Sequence, residues 1–136
     1  MTSDRPLFHR NVASIDFARV QRDQGWVDLN IKFVPEAISG FNDVCLFRAT
    51  FPPGSAHQRH IHANAVEFFY IISGRGMSGF GENEHEVTAG DVEMVEKGSV
   101  HWLRNISDDE PIEVLGGYLA VASLEEAGYE PVSAES

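Results

Sequence analysis

Three histidines and one glutamate stand at spacings that can build a metal site. His60 and His62 are separated by one residue, so a β-strand would place both imidazoles on the same face. Glu67 follows five residues after His62, and His101 opens a later apolar stretch. If these segments line one barrel, the four side chains converge in an apolar interior, where they need a shared compensating partner. Such a set binds a divalent first-row metal and leaves one or two coordination positions for water or substrate.

The other histidines are given ordinary structural roles. His57 lies at an odd offset from His60, so strand alternation turns it away from the expected cavity. His9 and His85 are interpreted as surface or core residues, because a single histidine in a β protein is seldom a ligand. The acidic stretch around His85 is expected to be a solvated strand face, although its glutamates offer a surface cation site as an alternative: Glu82, Glu84 and Glu86.

The residues around the four candidate ligands resemble the two motifs of the cupin family. The first motif is Gly, five residues, His-x-His, three or four residues, Glu, six residues, Gly. Every fixed position is filled here, by Gly54, His60, His62, Glu67 and Gly74. The second motif is Gly, five residues, Pro-x-Gly, two residues, His, three residues, Asn. It is matched by Gly90, Gly98, His101 and Asn105, with Glu96 in the place of the proline.

This resemblance, which covers residues 54–105, implies the fold, the ligands and the cofactor. It implies an all-β, single-domain cupin β-barrel, that is, a double-stranded β-helix or jelly roll, with an N-terminal arm. The implied metal ligands are His60, His62, Glu67 and His101, and Glu67 is also the candidate catalytic carboxylate. The implied cofactor is one divalent transition metal ion per subunit, with Fe(II) as the first choice and Mn(II), Ni(II) or Zn(II) as alternatives.

Strand parity selects the residues expected to contact a small-molecule substrate. The side chains that share a face with a ligand would form a mostly apolar pocket with a few polar groups. These candidates are Gln58, Phe69, Ile71, Leu103 and Asn105. Each apolar member can also be ordinary barrel filling. Phe68 and Tyr70 have the opposite parity, and their apolar outer face, together with the small size of this cupin-like chain, predicts a homodimer.

Short apolar stretches separated by turn signals must position these residues. Turns such as Pro52-Pro53-Gly54 and Lys97-Gly98-Ser99 recur at a spacing of roughly 8–12 residues, which predicts an all-β barrel or sandwich. The predicted strands are Val27–Val34, Val44–Phe51, His57–His62, Glu67–Ser73, Gly76–Gly79, Glu84–Thr88, Asp91–Glu96, His101–Asn105 and Ile112–Ala122.

Length and composition bound the organisation of the chain. Its 136 residues fit one domain, here divided into an arm over 1–24 with room for one short strand, a barrel over 25–122 and an acidic tail over 123–136. Residues Ala122–Ala127 are predicted to form one helical turn or two. The single cysteine, Cys45, excludes a disulfide framework and a cysteine-based zinc site.

The charge balance restricts the partners. Ten Lys and Arg against 21 Asp and Glu give a net charge of −11, which disfavours nucleic acid and anionic membrane surfaces. No apolar run reaches the roughly 20 residues of a membrane helix. The polar N-terminus has no apolar signal core. The sequence therefore predicts a cytoplasmic protein.

Three functions remain open for such a site. The first hypothesis is an O2-dependent oxidoreductase of the dioxygenase type, acting on a small oxygenated or aromatic compound. Sugar-phosphate chemistry is disfavoured because no cluster of Arg or Lys lies near the motifs, and Arg59 and Arg104 have outward parity. The alternative is a non-redox cyclase, isomerase or lyase that uses the same metal on a carbonyl, polyketide-like substrate. The third is a metal-containing small-molecule-binding domain without turnover.

Overall fold

A computed structural model describes residues 8–34 and 42–133 of the chain. Within these ranges the chain is nearly all β, as the turn spacing predicted. The strands are β1 (Trp26–Val27), β2 (Asn30–Val34), β3 (Val44–Phe51), β4 (Ala56–Ile61), β5 (Glu67–Ser73), β6 (Arg75–Phe80), β7 (Asn83–Thr88), β8 (Val92–Val95), β9 (His101–Arg104), β10 (Ile112–Leu119) and β11 (Glu130–Pro131). No helix in the described ranges is long and apolar enough to cross a membrane.

Two antiparallel sheets enclose the core. The first sheet has the order β1-β4-β9-β6-β7, and β11 also pairs with β4. The second sheet has the order β2-β3-β10-β5-β8. Along β3, buried residues alternate with partly exposed ones, so that Cys45, Phe47, Ala49 and Phe51 face the other sheet. The core therefore lies between the two sheets.

The predicted strand Val27–Val34 is divided in the structure. Asp28 adopts a φ of 63°, in the left-handed region, and ends β1. β1 pairs with β4 in the first sheet, whereas β2 pairs with β3 in the second. The chain crosses from one sheet to the other at this point, and a crossing of this kind leaves no mark in the hydrophobic pattern.

The described part of the N-terminal arm contains two short 3₁₀ turns, Val12–Ser14 and Arg22–Gln24, and no strand. The N–H of Ala18 donates to the carbonyl of Ile31 at 2.8 Å, and the Ala18 and Val20 side chains pack against the core. Residues 8–24 therefore lie against the barrel without adding a strand to either sheet.

The described part of the predicted acidic tail, residues 123–133, packs on the barrel. The predicted helical turn is present as α1 (Leu124–Ala127), whose first turn is capped because the hydroxyl of Ser123 accepts from the N–H of Glu126 at 3.1 Å. Ala127 is fully buried, and β11 pairs with β4 beside His60 and Ile61. Residues 123–133 thus form part of the wall next to the candidate ligands.

Candidate metal centre

The four predicted ligands converge between the two sheets. His60 lies on β4, His62 directly follows it, and His101 begins β9, all at the first sheet. Glu67 begins β5 in the second sheet. All four residues are buried, and one donor atom from each lies within 4.8 Å of the others. A single ion can therefore contact all four, with both sheets contributing.

Backbone carbonyls fix the orientation of the three imidazoles. His60 donates from Nδ1 to the carbonyl of Gln58 at 2.6 Å, and His62 donates from Nδ1 to that of Gly128 at 2.7 Å. His101 donates from Nδ1 to the carbonyl of Ser99 at 2.9 Å. Because a carbonyl oxygen only accepts, each Nδ1 carries a proton, and Nε2 is the ring nitrogen left to face the cluster. Histidine ligands of metals are held in this way by their other ring nitrogen.

The Nε2 atoms point into the cluster without a full set of protein partners. Those of His60 and His62 are buried and have no hydrogen-bond partner among the described residues. The Nε2 atoms of His62 and His101 each lie 3.0 Å from Oε1 of Glu67. Buried lone pairs without donors are unfavourable, and a divalent cation would satisfy them together with the carboxylate. The three-nitrogen, one-carboxylate donor set therefore fits one divalent transition metal ion.

The electrostatics of the cluster favour the ligand forms of Glu67 and His60. Burial raises the pKa of Glu67, but the adjacent His101 and His62 imidazoles outweigh burial and hold that pKa well below its usual range. Burial and the neighbouring imidazoles lower the pKa of His60 well below its ordinary value. His101 differs, because the carboxylate of Glu67 overcomes burial and raises its pKa. An anionic Glu67 and a neutral His60 are the protonation states that metal binding requires.

His57 faces the cluster, and the expectation that it points away is wrong. Its ring stacks on His60 with a centroid distance of 3.7 Å and on Trp26 at 3.8 Å. The cause is an irregularity in the β4–β9 ladder between His57 and His60, which shifts the register and interrupts the alternation of faces. His57 consequently lines the interior cavity beside the ligands.

The structure does not bring Gln58, Ile71 and Asn105 to this cavity. The irregularity in β4 leaves the Gln58 side chain exposed on the outside, and only its carbonyl serves the site. Ile71 is fully buried in the hydrophobic core and does not line the cavity. The Asn105 amide donates to the carbonyls of Phe51 and Glu110, at 2.9 and 2.8 Å, so it holds a turn. None of these three side chains is therefore placed to contact a substrate in the interior cavity.

Phe69 and Leu103 do line the interior cavity, as strand parity predicted. Its free volume next to the ligands is about 30 Å³, room for about two water molecules. Apart from Glu67, the walls are apolar, aromatic and imidazole side chains, and the lining contains no Lys or Arg. The space beside the ligands is therefore narrow and without cationic side chains.

Two tyrosines beside the ligands, and the Gly128 carbonyl that orients His62, were not predicted from the sequence. Tyr118 on β10 is opposite Glu67 in the sheet register, and its ring lies 4.8 Å from that of His62. The Tyr129 ring lies 5.3 Å from that of His60, and its hydroxyl is 3.1 Å from Nε2 of His57. These residues follow the motifs by many positions, so only the strand pairing, which no local spacing shows, could have found them.

A comparison with protein families assigns the fold. The family model described as a cupin domain matches residues 47–118, which is more than half of the 136-residue chain. The chain is a cupin. This cupin is 33% identical over 81 residues to germin-like protein subfamily 3 member 2 of Arabidopsis thaliana. The match covers 54% of this chain and 36% of the relative, so the cupin spans about a third of that protein's length.

Solved structures with the same fold carry several descriptions. A predicted oxalate decarboxylase from Thermotoga maritima has a TM-score of 0.73 at 22% identity, and the match covers 84% of this cupin and all of that chain. The polyketide cyclase RemF from Streptomyces resistomycificus has a TM-score of 0.76 at 14% identity, and the match covers 94% of this cupin and 87% of that chain. An oxalate oxidase matches with a TM-score of 0.65 at 20% identity, and the match covers 76% of this cupin and 55% of that chain. At these identities the likeness shows the fold.

Proposed function

We propose that this cupin is a metal-dependent oxidoreductase of the dioxygenase type, which uses O2 to oxidise a small oxygenated or aromatic compound. The observation that supports it is the set of three preoriented imidazoles and one carboxylate beside a narrow apolar cavity. His60, His62, Glu67 and His101 are the proposed ligands of one divalent ion, Fe(II) being the first choice. When bound, such an ion supplies electron transfer to O2 and polarises an oxygen of the substrate.

The charges of the lining restrict the substrate. Glu67 is the acidic residue of the cavity wall and, held ionised, offsets one of the two charges of a divalent ion. The lining contains no Lys or Arg that could neutralise a second anionic group. A dianion would leave net negative charge in an apolar cavity, which is unfavourable. We therefore propose a substrate that binds as a neutral molecule or a monoanion through its oxygen atoms.

The apolar wall has a defined part in this proposal. Phe69 and Leu103 lie on opposite sheets and face the cavity, so both are the proposed substrate contacts inside the barrel. Together with the other apolar walls they exclude bulk water, which strengthens the electrostatic interactions of the carboxylate and the imidazoles. Their positions set how much of a substrate can approach the ligands.

The test combines metal analysis with oxygen uptake. We expect the protein, purified without added metal, to carry mainly iron, nickel or manganese, as measured by elemental analysis. Protein loaded with each of these ions is then given diketones, flavonols and catechols in an oxygen electrode, with the metal-free protein as control. Oxygen consumption that depends on both the metal and the substrate is expected. Absence of consumption with every ion and every compound contradicts the dioxygenase proposal for these substrate classes.

The second candidate is a non-redox cyclase, isomerase or lyase that acts on a carbonyl compound. The likeness in fold to a polyketide cyclase supports it, since that match extends over 94% of this chain. In this case Glu67 would leave the metal and serve as a base, a role for which its depressed pKa makes it weak. Conversion of substrate by the zinc-loaded protein without oxygen uptake would favour this candidate. Binding without any conversion would favour the third, a non-catalytic binding domain.

We also propose that the protein is a homodimer. The outer face of the second sheet carries a row of exposed apolar side chains that are neighbours in register, namely Leu115, Tyr70 and Val92. Exposed Ile72 lies on β5 with Tyr70, and exposed Met94 lies on β8 with Val92, so both extend the row. An apolar patch of this kind is typical of a protein interface. The cytoplasmic location stays a prediction.

A further inference from the structure

A second and wider space opens beside the metal centre. It lies between the inner faces of the two sheets, on the side where β7 and β8 are the sheet edges, and has a volume of about 370 Å³. We call it the side groove, and its lining includes Phe69, Ser78, Phe80, Asn83, His85 and Glu93. His101 and Phe69 line both this groove and the interior cavity. The groove therefore adjoins the candidate metal centre at these two side chains, and its volume is in the range of small-molecule sites.

Strand register explains why polar side chains point into this groove. Ser78 is opposite His85 in the β6–β7 pair, and Phe80 is opposite the ligand His101 in the β6–β9 pair. On the other sheet, Glu93 is opposite Phe69, and Val95 is opposite Glu67. Residues opposite each other share a face, so these side chains face the same space as the ligands. Glu93 is two residues from the position opposite Glu67, a separation of roughly 7 Å along the strand.

The carboxylate of Glu93 is held in place by two donors. The hydroxyl of Ser78 donates to Oε1, and Nε2 of His85 pairs with Oε2. The Glu93 side chain is 22% exposed and that of His85 is 52% exposed, so the pair stands at the mouth of the groove. The lining contains no Lys or Arg. The mouth thus presents a fixed carboxylate, held by Ser78 and His85, with no Lys or Arg of the lining beside it.

An aromatic side chain stands beside this acceptor. Phe80 is 51% exposed although it faces the groove next to His101. An exposed aromatic ring next to a polar group, within a concave site, is an arrangement that binds a ring-bearing ligand. The groove therefore combines an apolar surface for a ring with an acceptor at one end and the metal ligands at the other.

We propose that Glu93 is a specificity-determining residue, which binds an amine or hydroxyl donor on the far end of a small aromatic substrate while Phe80 packs against its ring. The opposite, oxygen-bearing end then points towards the metal centre past His101 and Phe69, the side chains that line both spaces. This proposal rests on the metal-dependent function proposed above, and it adds that the preferred substrate carries a donor and no second anion.

Binding of three related catechols tests the proposal without turnover. Protein loaded with redox-inert Zn(II) is titrated under anaerobic conditions with catechol, with dopamine, which adds an ammonium group, and with protocatechuate, which adds a carboxylate. We expect dopamine to bind about tenfold more tightly than protocatechuate, because the Glu93 carboxylate attracts the ammonium group of dopamine and repels the carboxylate of protocatechuate. In E93Q, which keeps the shape and a hydrogen bond to Ser78, this ratio should fall by about tenfold while catechol affinity stays the same.

A matched control removes the same charge outside the groove. Glu86 on β7 is opposite Met77 and exposed, so E86Q should leave the dopamine preference unchanged. F80A should weaken all three catechols by a similar factor, because it removes the ring contact and no charge. The proposal is overturned if the parent protein and E93Q show the same ratio of dopamine to protocatechuate affinity. It is also overturned if no catechol binds to the zinc-loaded protein. If E93Q removes the preference and the iron-loaded protein consumes no oxygen, the groove assignment stands and the dioxygenase proposal fails.

Discussion

At the scale of single residues, the centre depends on backbone carbonyls as much as on the four ligands. The carbonyls of Gln58 and Ser99 each lie two residues before the histidine that they orient, so local chain geometry supplies them. The carbonyl that orients His62 comes instead from Gly128, far along the chain. The position of His62 therefore depends on a distant segment.

Gly128 can be tested by one substitution. Its φ of 84° with a ψ of 146° is a backbone conformation open essentially to glycine alone, so G128A must shift the carbonyl away from His62. Loss of such a supporting contact typically lowers metal affinity about 10- to 100-fold. We expect a decrease of this size for Zn(II), measured by competition with a chelator. G90A is the matched control, because Gly90 also has a positive φ, 96°, but holds no ligand.

The outcome for the pair is distinguishable from general destabilisation. Both variants should unfold at a lower temperature, since each strains one residue by about 1–3 kcal/mol. Only G128A should lose metal affinity. Equal affinities in the two variants would show that the Gly128 carbonyl is not needed to hold His62.

At the scale of elements, an outer contact ties three strands of the first sheet together. Glu84 on β7 accepts from Arg104 on β9 at 2.8 and 2.6 Å and from the indole of Trp102 at 2.7 Å. β6 lies between these two strands, and a Cβ at Gly79 would come within 1.7 Å of the Trp102 ring. The absence of a side chain at Gly79 therefore lets Trp102 lie flat across β6 and reach Glu84.

This contact gives the fold a defined pH dependence. Hydrogen bonds from Arg104 lower the pKa of Glu84 from 4.5 to about 2. A carboxylate with a depressed pKa stabilises the folded state above its unfolded pKa, and that contribution is lost as the pH falls from about 4.5 towards 2. We expect E84Q to lower the free energy of unfolding at pH 7 by less than about 1 kcal/mol, because the pair is accessible to solvent.

Urea unfolding at pH 7 and at pH 3 checks this expectation. The difference between the parent protein and E84Q should be smaller at the acidic pH, whereas E86Q should show no comparable dependence. A difference that grows on acidification would mean that the ion pair does not stabilise the folded state.

The secondary-structure elements also show which parts of the fold can be predicted from the sequence. β3 and β5 begin and end at the predicted residues, because their apolar alternation and flanking turns are local signals. The convergence of the four predicted ligands followed from equally local spacings along the chain. The irregularity in β4 could not be predicted locally, since it arises from pairing with β9. It reversed the expected faces of His57 and Gln58. The seat of α1 and β11 beside the ligands likewise depends on contacts across the whole chain.

At the scale of the whole molecule, the two sheets have different surfaces. The first sheet carries on its outside the polar and aromatic contact of Glu84 with Arg104 and Trp102. The second sheet exposes the apolar row around Tyr70, which is 43% exposed, and Val92, which is 62% exposed. This asymmetry supports association through the second sheet.

A charged substitution in this row tests the proposed dimer. Y70R places a cation at the centre of the apolar row, and two symmetry-related copies would bring like charges into a desolvated interface. We expect the parent protein to elute with the mass of a dimer in size-exclusion chromatography with light scattering, and Y70R with that of a monomer. E86Q on the other sheet serves as the control. A parent protein that is monomeric at all concentrations contradicts the homodimer.

The most direct test of the central claim is the metal stoichiometry of the purified chain. Protein is saturated with Zn(II) or Fe(II), freed of excess ion and analysed for metal per chain, beside the double variant H60A/H101A. Because the donors of His60, His62, Glu67 and His101 surround one point, we predict one ion per chain in the parent protein and none held tightly by the double variant. Stoichiometric tight binding that survives in the double variant would contradict the assignment of the site.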